Sequence, residues 1–368
     1  ETFLGMQFTS ETSKFFISME NYIFKYAKQQ GYDSDNHIRR WNTPGQKHPG
    51  APRTAKKDDP QVHFSTLMKL SPSDQKTFQS YVGAFQWISN CGRPDITYAT
   101  QVLASRTHEP LERDLIAAKR LLGYLIRTAS SKMVLSSEAL KVPSTASEPS
   151  ERLLQKTLTK KSRDEHQSSR SIQISEVDNF DPLCIEDPYG VAVRLYNVLR
   201  PKNNFVRLTT YTDADFAGDL EERRSTIGYI VFLNSIPISW CSQRIKCTTT
   251  STFESECMAI SEACKEISYL IGLVKSLGIE VEMPTTVYND NISAAYTASG
   301  ESSMPKARHS QIRFCHIRGF IRAGIIRILH TRTEEMVADI FTKYLPRQLH
   351  YNLSSHFMDH ATVANHTE

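Results

Sequence analysis

The chain has 368 residues, 39% of them hydrophobic and 23% charged, the balance of a folded protein with more than one core and not of a disordered chain. Lys and Arg number 44 against 40 Asp and Glu, and the net charge of +4 is too small to identify a polyanion partner by itself. Arg, Lys or Glu interrupts every apolar run before it reaches membrane-spanning length, which excludes a membrane partner, and the start, Glu1-Thr2-Phe3-Leu4-Gly5, reads as a piece of something longer.

Residues 1–60 open with a strand-like run, Phe3-Leu4-Gly5-Met6-Gln7-Phe8, and a second near Phe15, together a hairpin. Tyr22, Ile23, Tyr26 and Ala27 then fall at helical spacing. A Pro-, Gly- and Lys-rich stretch follows, expected as an exposed connection. Residues 61–140 read as three helices. Ser73 and Lys76 open the first, which Gly92-Arg93-Pro94-Asp95 breaks. The second runs through Ile96, Ala99, Val102 and Leu103. The third ends at Arg127 with Leu115, Ala118, Leu121, Leu122 and Leu125 on one face. No chemistry is visible in this region.

Residues 141–190 are dominated by Ser, Glu, Lys, Arg, Gln and Thr, a composition that cannot bury enough apolar surface to fold alone. A low-complexity flexible linker is the expectation. The 7 cysteines form no C-x-x-C pair, and Cys257 and Cys264 lie among apolar residues of a predicted helix. Buried thiols in a reduced, intracellular compartment fit better than a zinc site.

Residues 191–346 are mixed α/β. Strands are expected at 205–212, 228–233 and 238–242. Ser251-x-x-Glu254 is a capping-box signature, and its helix should run to Leu277, with Gly278 as the stop. A strand at 285–289, helices at 292–298 and 308–322, a strand at 325–330 and a last helix at 334–343 follow. This order makes a five-stranded mixed sheet with flanking helices. Residues 347–368 read as a tail.

Four acids stand out in this region. Tyr211-Thr212-Asp213-Ala214-Asp215-Phe216-Ala217-Gly218 places carboxylates at the end of a strand, poorly for packing and well for a cation. Glu256 lies on the inward stripe of its helix with Ile260, Ala263 and Ile267, where a carboxylate is costly unless paired or metal-bound. Asp290 ends a strand and could cap the next helix or ligate. Asp339, between Val337 and Ile340, is the weakest alone. Four carboxylates on four elements suit two Mg²⁺ ions, with Mn²⁺ as a substitute. Two such ions about 3.5–4 Å apart activate a water and stabilise the departing oxygen in phosphodiester hydrolysis. No G-x-S-x-G, P-loop or H-E-x-x-H is present. Between Glu301 and Glu334 there is no acid, while Lys306, Arg308, Arg313, Arg318, Arg322, Arg327 and Arg332 fall there. A solvated helix face is the plain reading; its place between two proposed ligands favours a phosphate track.

These motifs carry a resemblance. Tyr211 to Asp219, then Arg223-Arg224-Ser225-Thr226-Ile227-Gly228-Tyr229, resemble the opening of the ribonuclease H domain in copia-type (Pseudoviridae) retrotransposon polyproteins. Ser251 to Ala259 resembles that family's acidic helix, Tyr288-Asn289-Asp290-Asn291 its third-acid strand, and Val337-Ala338-Asp339-Ile340-Phe341-Thr342-Lys343 its last helix. Tyr81-Val82-Gly83, Arg93-Pro94-Asp95-Ile96 and Ala117 to Leu125 look like the stretch between polymerase and nuclease. The resemblance implies a ribonuclease H-like fold after a small α+β or helical thumb-connection region, with residues 1–60 the end of the reverse-transcriptase palm and thumb. It implies Asp213, Glu256, Asp290 and Asp339 as catalytic acids and metal ligands. It also implies a histidine near His330 that aids proton transfer or product release; a surface histidine is the alternative. His309 matches a family Lys-His-Ile-Asp segment, structural or facing substrate. The sequence departs from the pattern at Gln311, where the family has an acid, at Lys343-Tyr344-Leu345 in place of Lys-Pro-Leu, and in its long linker. No Tyr-x-Asp-Asp motif is present, so a polymerase active site is absent.

The expected function is cleavage of the RNA strand of RNA–DNA hybrids during reverse transcription, with Asn291, Lys306, Arg308, His309 and Arg313 touching nucleic acid. The upstream palm and the integrase of the same polyprotein are the expected partners, and the expected place is a cytoplasmic virus-like particle with a nuclear phase. The alternative is an inactive relic that binds nucleic acid without cutting. An integrase-type transposase fits worse, because Glu256 precedes Asp290.

Overall fold

A computed structural model describes residues 2–11, 14–32, 38–46, 68–136, 143–144, 146, 205–219, 223–246, 249–298 and 308–360. Most of the expected linker, like Lys306, lies outside the described residues. The N-terminal part begins with β1 (Thr2–Phe3), β2 (Met6–Glu11) and β3 (Lys14–Ser18), then α1 (Glu20–Gln29). The expected hairpin is β2 on β3, with Gln7 opposite Ser18. Next come α2 (Pro72–Cys91), α3 (Thr97–Ala104) and α4 (Glu112–Arg127). Helix α2 is opened not by Ser73 but by Ser71, whose hydroxyl accepts from the Asp74 N–H at 3.1 Å, with Pro72 in the first turn. The apolar face of α4 is buried through Ala118, Leu121, Leu122 and Leu125 against α1 and α2.

A strand was not expected before the linker, yet β4 (Lys132–Ser136) pairs with β3. Its inward residues are Met133 and Leu135, an alternation too short to separate from a helix end by pattern. The expected tail is not one over its described residues. Helix α8 (Arg347–Ser354) and strand β12 (Met358–Asp359) return to this body, and β12 pairs with β4. Leu353, Phe357 and Met358 are buried, so apolar burial draws the segment in.

The second sheet holds β6 (Leu208–Asp215), β7 (Thr226–Leu233), β8 (Ile236–Arg244), β10 (Thr285–Asn289) and β11 (Ile326–His330), in the order β11-β10-β6-β7-β8. Strands β6, β7 and β8 run antiparallel, while β10 and β11 lie parallel to β6. A short parallel pair, β5 (Phe205–Val206) and β9 (Glu280–Val281), flanks it. Helices α5 (Thr252–Ser276), α6 (Ile292–Ala298) and α7 (Arg308–Arg322) cover one face. This is the expected five-stranded mixed sheet with flanking helices.

The other face meets the N-terminal sheet. Tyr211, Ile230, Phe232 and Tyr288 share one core with Ile17, Met133, Leu135 and Met358. Between them lies the stretch expected as a last α-helix, which is instead two 3₁₀ turns, Thr333–Glu335 and Val337–Phe341. Every residue from Met336 to Phe341 is buried. An α-helix offers one apolar stripe, whereas a turn wedged between two sheets must bury all its sides, and tertiary packing overrides helix propensity.

Candidate metal and catalytic site

The site grows from the pleat of β6. Even-numbered residues Leu208 and Ala214 face α5, and odd-numbered Tyr211 faces the 3₁₀ turns, so Asp213 points to the turn side. Asp213 and Asp215 lie inside the strand and not beyond it, because the ladder to β7 continues to Asp215 opposite Thr226. The parallel register sets Tyr288 beside Tyr211, and two residues on, Asp290 comes level with Asp213. Asp339 descends from the 3₁₀ turn. Oxygens of Asp213, Asp290 and Asp339 all lie within 4.8 Å of one another.

Gly228 permits that approach. It is the ladder partner of Asp213, and a Cβ there would stand 2.6 Å from Phe341 Cβ and 2.9 Å from Thr342 Cγ2. The turn can press onto the strand only because that methyl is missing. Thr342 then donates its hydroxyl to Asp213 Oδ2. Lys343 Nζ lies 3.0 Å from Asp339 Oδ1 and 3.5 Å from Asp213 Oδ2.

Glu256 enters from α5 and is held apart from the three aspartates. Asn289 Nδ2 donates to Glu256 Oε2 at 2.9 Å and to the Thr212 carbonyl at 3.0 Å. The capping expected at the start of α5 is present in altered form. The Ser251 hydroxyl accepts from the Glu254 N–H at 3.2 Å, but Glu254 returns its bond to the Thr250 N–H at 2.8 Å. Glu254 therefore serves the helix end and Glu256 does not. The same division holds at the next helix. Asn291 accepts from the Ala294 N–H at 3.0 Å, so Asn291 is the cap and Asp290 is released from that duty. Asp290 Oδ2 accepts from the Thr333 hydroxyl at 2.8 Å.

Burial is the main cause of the electrostatics. It raises the Glu256 pKa well above the usual carboxylate range, with Asp213 and Asp290 adding to the rise and Asn289 and Lys343 opposing it. Burial, then Asp213, raises Asp290. Asp339 is pushed up to about 8 by burial and Asp213, against the pull of Lys343. Burial would lower the Lys343 pKa, but Asp213, Asp339 and Asp290 together raise it. Clustered carboxylates short of positive charge behave this way.

The residues present fit a divalent cation. Three carboxylates converge, and the buried Asp339 Oδ1 has the Lys343 ammonium at 3.0 Å and no better-formed hydrogen bond among the described residues. An oxygen-only donor set suits Mg²⁺ or Mn²⁺.

His330, at the end of β11, is 8% exposed, which makes it no surface histidine. Its Nε2 donates to the Asp290 carbonyl at 3.1 Å, so its ring braces the Asp290 turn. Of the basic window, Arg318 folds onto the Thr297 carbonyl at 2.8 Å and Arg327 onto the Thr286 hydroxyl at 3.0 Å, both structural uses. Arg313 lies half-buried on α7, near enough to Cys257 to bear on its thiol. The side chains of Arg308 and His309 lie outside the described residues. Asn289, Thr333, Thr342 and Lys343 escaped nomination, although Asn289, Thr342 and Lys343 stand inside the motifs that carry the acids.

Cys257 and Cys264 are buried, and no helix among the described residues is long and apolar enough to cross a membrane.

No protein-family profile matches the chain. The chain is 26% identical over 296 residues to the Retrovirus-related Pol polyprotein from transposon RE1 of Arabidopsis thaliana, covering 80% of this chain and 16% of that polyprotein. It is 33% identical over 281 residues to the counterpart from transposon RE2 of the same plant, covering 76% of this chain and 15% of the other. A third relative, from transposon TNT 1-94 of Nicotiana tabacum, is 34% identical over 140 residues, 38% of this chain and 10% of the relative. Among solved structures, the N-terminal RNase H domain of rv2228c from Mycobacterium tuberculosis is 12% identical, with a TM-score of 0.29 over 41% of this chain and 97% of its own. LC11-RNase H1 from compost is 18% identical, with a TM-score of 0.30 over 37% of this chain and 92% of its own. The chain thus spans about one sixth of the first two polyproteins, and its homologues are the retrovirus-related Pol polyproteins of copia-type transposons.

Proposed function

We propose that the region from β5 to the second 3₁₀ turn is a metal-dependent ribonuclease H that cuts the RNA strand of RNA–DNA hybrids, working within a retrotransposon polyprotein inside the cell during reverse transcription. The observation that carries this reading is the convergence of Asp213, Asp290 and Asp339 oxygens within 4.8 Å, with Glu256 buried behind them. Asp213, Asp290 and Asp339 would hold the divalent ions, with Glu256 completing the set. Bound there, the ions supply positive charge for a phosphodiester oxygen and lower the pKa of a water.

The chain's own residues do the rest. Thr342 and Lys343 fix Asp213, Thr333 fixes Asp290, and Asn289 fixes Glu256, so each carboxylate keeps its direction before substrate arrives. His330 braces the Asp290 carbonyl, which would hold the Asp290 turn in place for its ligand role. Arg313, with Lys306, Arg308 and His309, supports a basic approach for phosphates. The Asn291 side-chain oxygen is committed to its cap, so its amide N–H donors and groups near Asp213 would meet the 2′-hydroxyl.

The test is hydrolysis of a strand-labelled hybrid with Mg²⁺ or Mn²⁺ by this chain and by Asp290→Asn. RNA-strand cleavage is expected, lost in chelator. In the variant it should fall by more than the about 10–100-fold that an outer hydrogen-bond partner is worth. Metal-independent binding of hybrid with no cleavage would instead identify a relic.

A further inference from the structure

The acid cluster already contains a cation. Lys343 follows Asp339 by four positions, and its Nζ stands 3.0 Å from Asp339 Oδ1 and 3.5 Å from Asp213 Oδ2. Those residues are two of the three whose oxygens converge within 4.8 Å. The third, Asp290, also acts on the ammonium. On its other side Lys343 lines a small cavity with Pro44, Gly45, Tyr98 and Asp95, and the Asp95 carboxylate is already held by Arg93 at 2.8 Å. Its side chain is 26% exposed, against 2% for Asp213 and Asp339, so the stem lines the wall of the site and its end can reach water.

An ammonium and a divalent ion are both hard cations that draw on the same carboxylate lone pairs, and they repel each other at contact distance. Without either, two buried carboxylates and a half-buried third would face one another uncompensated. We propose that Lys343 is a resident counter-ion that keeps the acid cluster assembled in the metal-free chain and must leave Asp213 and Asp339 when a divalent cation enters, so that it sets metal affinity by competition. This rests on the reading that the cluster takes a divalent cation. Lys343 is here a positioning residue, acting through the acids. Thr342, which donates to the same Asp213 oxygen, keeps that carboxylate oriented while the ammonium moves.

The test is Mn²⁺ binding by the full chain, followed by the electron paramagnetic resonance of free Mn²⁺. Lys343→Met keeps the stem and removes the charge. It should bind Mn²⁺ about tenfold more tightly, about 1.4 kcal/mol, and should melt earlier than the parent without metal while regaining the difference with it. Lys343→Arg should stay near the parent in affinity. A Lys343→Met affinity that is unchanged or weaker overturns the proposal. Should that variant not fold, amine acetylation of the unaltered chain, read by peptide mass spectrometry, decides. Labelling at Lys343 should rise on adding Mn²⁺, because the displaced ammonium loses the carboxylates that hold its proton, and unchanged or reduced labelling overturns the proposal. A chain that cleaves hybrid while its Mn²⁺ affinity ignores the substitution loses this proposal and keeps the nuclease. One whose affinity shifts without any cleavage keeps this proposal and loses the nuclease.

Discussion

Two buried carboxylate sites lie in one chain, and they solve the same problem in opposite ways. In the N-terminal body, Asp95 is fully matched. Arg93 Nε and Nη2 each donate to one of its oxygens at 2.8 Å, and the Tyr124 hydroxyl donates at 2.8 Å. Two further Arg93 N–H groups donate to the Thr128 carbonyl at 3.0 Å and hydroxyl at 2.7 Å. His350 of α8 reaches the Asp95 carbonyl at 3.3 Å. Burial alone would raise the Asp95 pKa, but Arg93, helped by His350 and Tyr124, holds it well below the usual carboxylate range. Around Asp213 the balance is reversed: four acids share one ammonium, and burial leaves Glu256, Asp290 and Asp339 raised. A satisfied pair fixes structure, whereas an under-compensated cluster is poised for a cation.

Breaking the matched site should cost most. Arg93→Met leaves Asp95 buried and unpaired, and the expected loss is about 3–5 kcal/mol in chemical denaturation. Adding Asp95→Asn should recover much of it, since no charge then remains to be compensated. A single variant as stable as the parent would show that the two sites do not differ as described.

Arg93-Pro94-Asp95 was legible in the sequence as a helix breaker and as part of a family-like stretch, but not as a buried ion pair. The guanidinium finds its carboxylate two residues on through a 3₁₀ turn, and its other partners, Tyr124, Thr128 and His350, are distant in sequence. The second sheet was easier to read, because strand and helix signals there agree with their surroundings. The final 3₁₀ turns and the C-terminal β12 were not legible. Both are set by the meeting of two sheets, and no local pattern announces a partner that the chain supplies hundreds of residues earlier. Asn289, Thr342 and Lys343 were overlooked because polar neighbours of an acid are common, and only the register shows that these three turn toward it.

The acid site should be disturbed less in stability and more in function by Gly228→Ala. The new methyl must move Phe341 and Thr342, and overpacking of this kind costs about 1–3 kcal/mol. Displacing the turn carries Asp339 and Lys343 away from Asp213, so Mn²⁺ binding should weaken by more than the melting temperature suggests. Arg93→Met, in contrast, should lower stability and leave the Mn²⁺ affinity of the folded fraction unchanged. Equal metal affinity in Gly228→Ala and the parent would detach the turn from the site.

The finest distinction lies in the pH dependence of the metal-free chain. The Asp339 pKa is raised from its ordinary value of 3.8 to about 8, so the folded chain keeps a proton there that the unfolded chain releases near pH 4. Its contribution to stability is full below the unfolded value and is lost as pH rises through about 8. Asp95 has the opposite sign: lowered in the fold, it contributes stability above its unfolded value that fades only as pH falls toward strong acid. Asp339→Asn removes the first titration and keeps the shape of the side chain. Without metal the variant should therefore be more stable than the parent by at least about 1 kcal/mol, the worth of one pKa unit, and its advantage should widen between pH 5 and pH 8. Saturating Mg²⁺ should erase that advantage, because the parent's carboxylate then meets a cation and the variant's amide cannot take its place. A variant whose stability tracks the parent at every pH, with and without Mg²⁺, would place Asp339 with the matched acids instead of the poised ones.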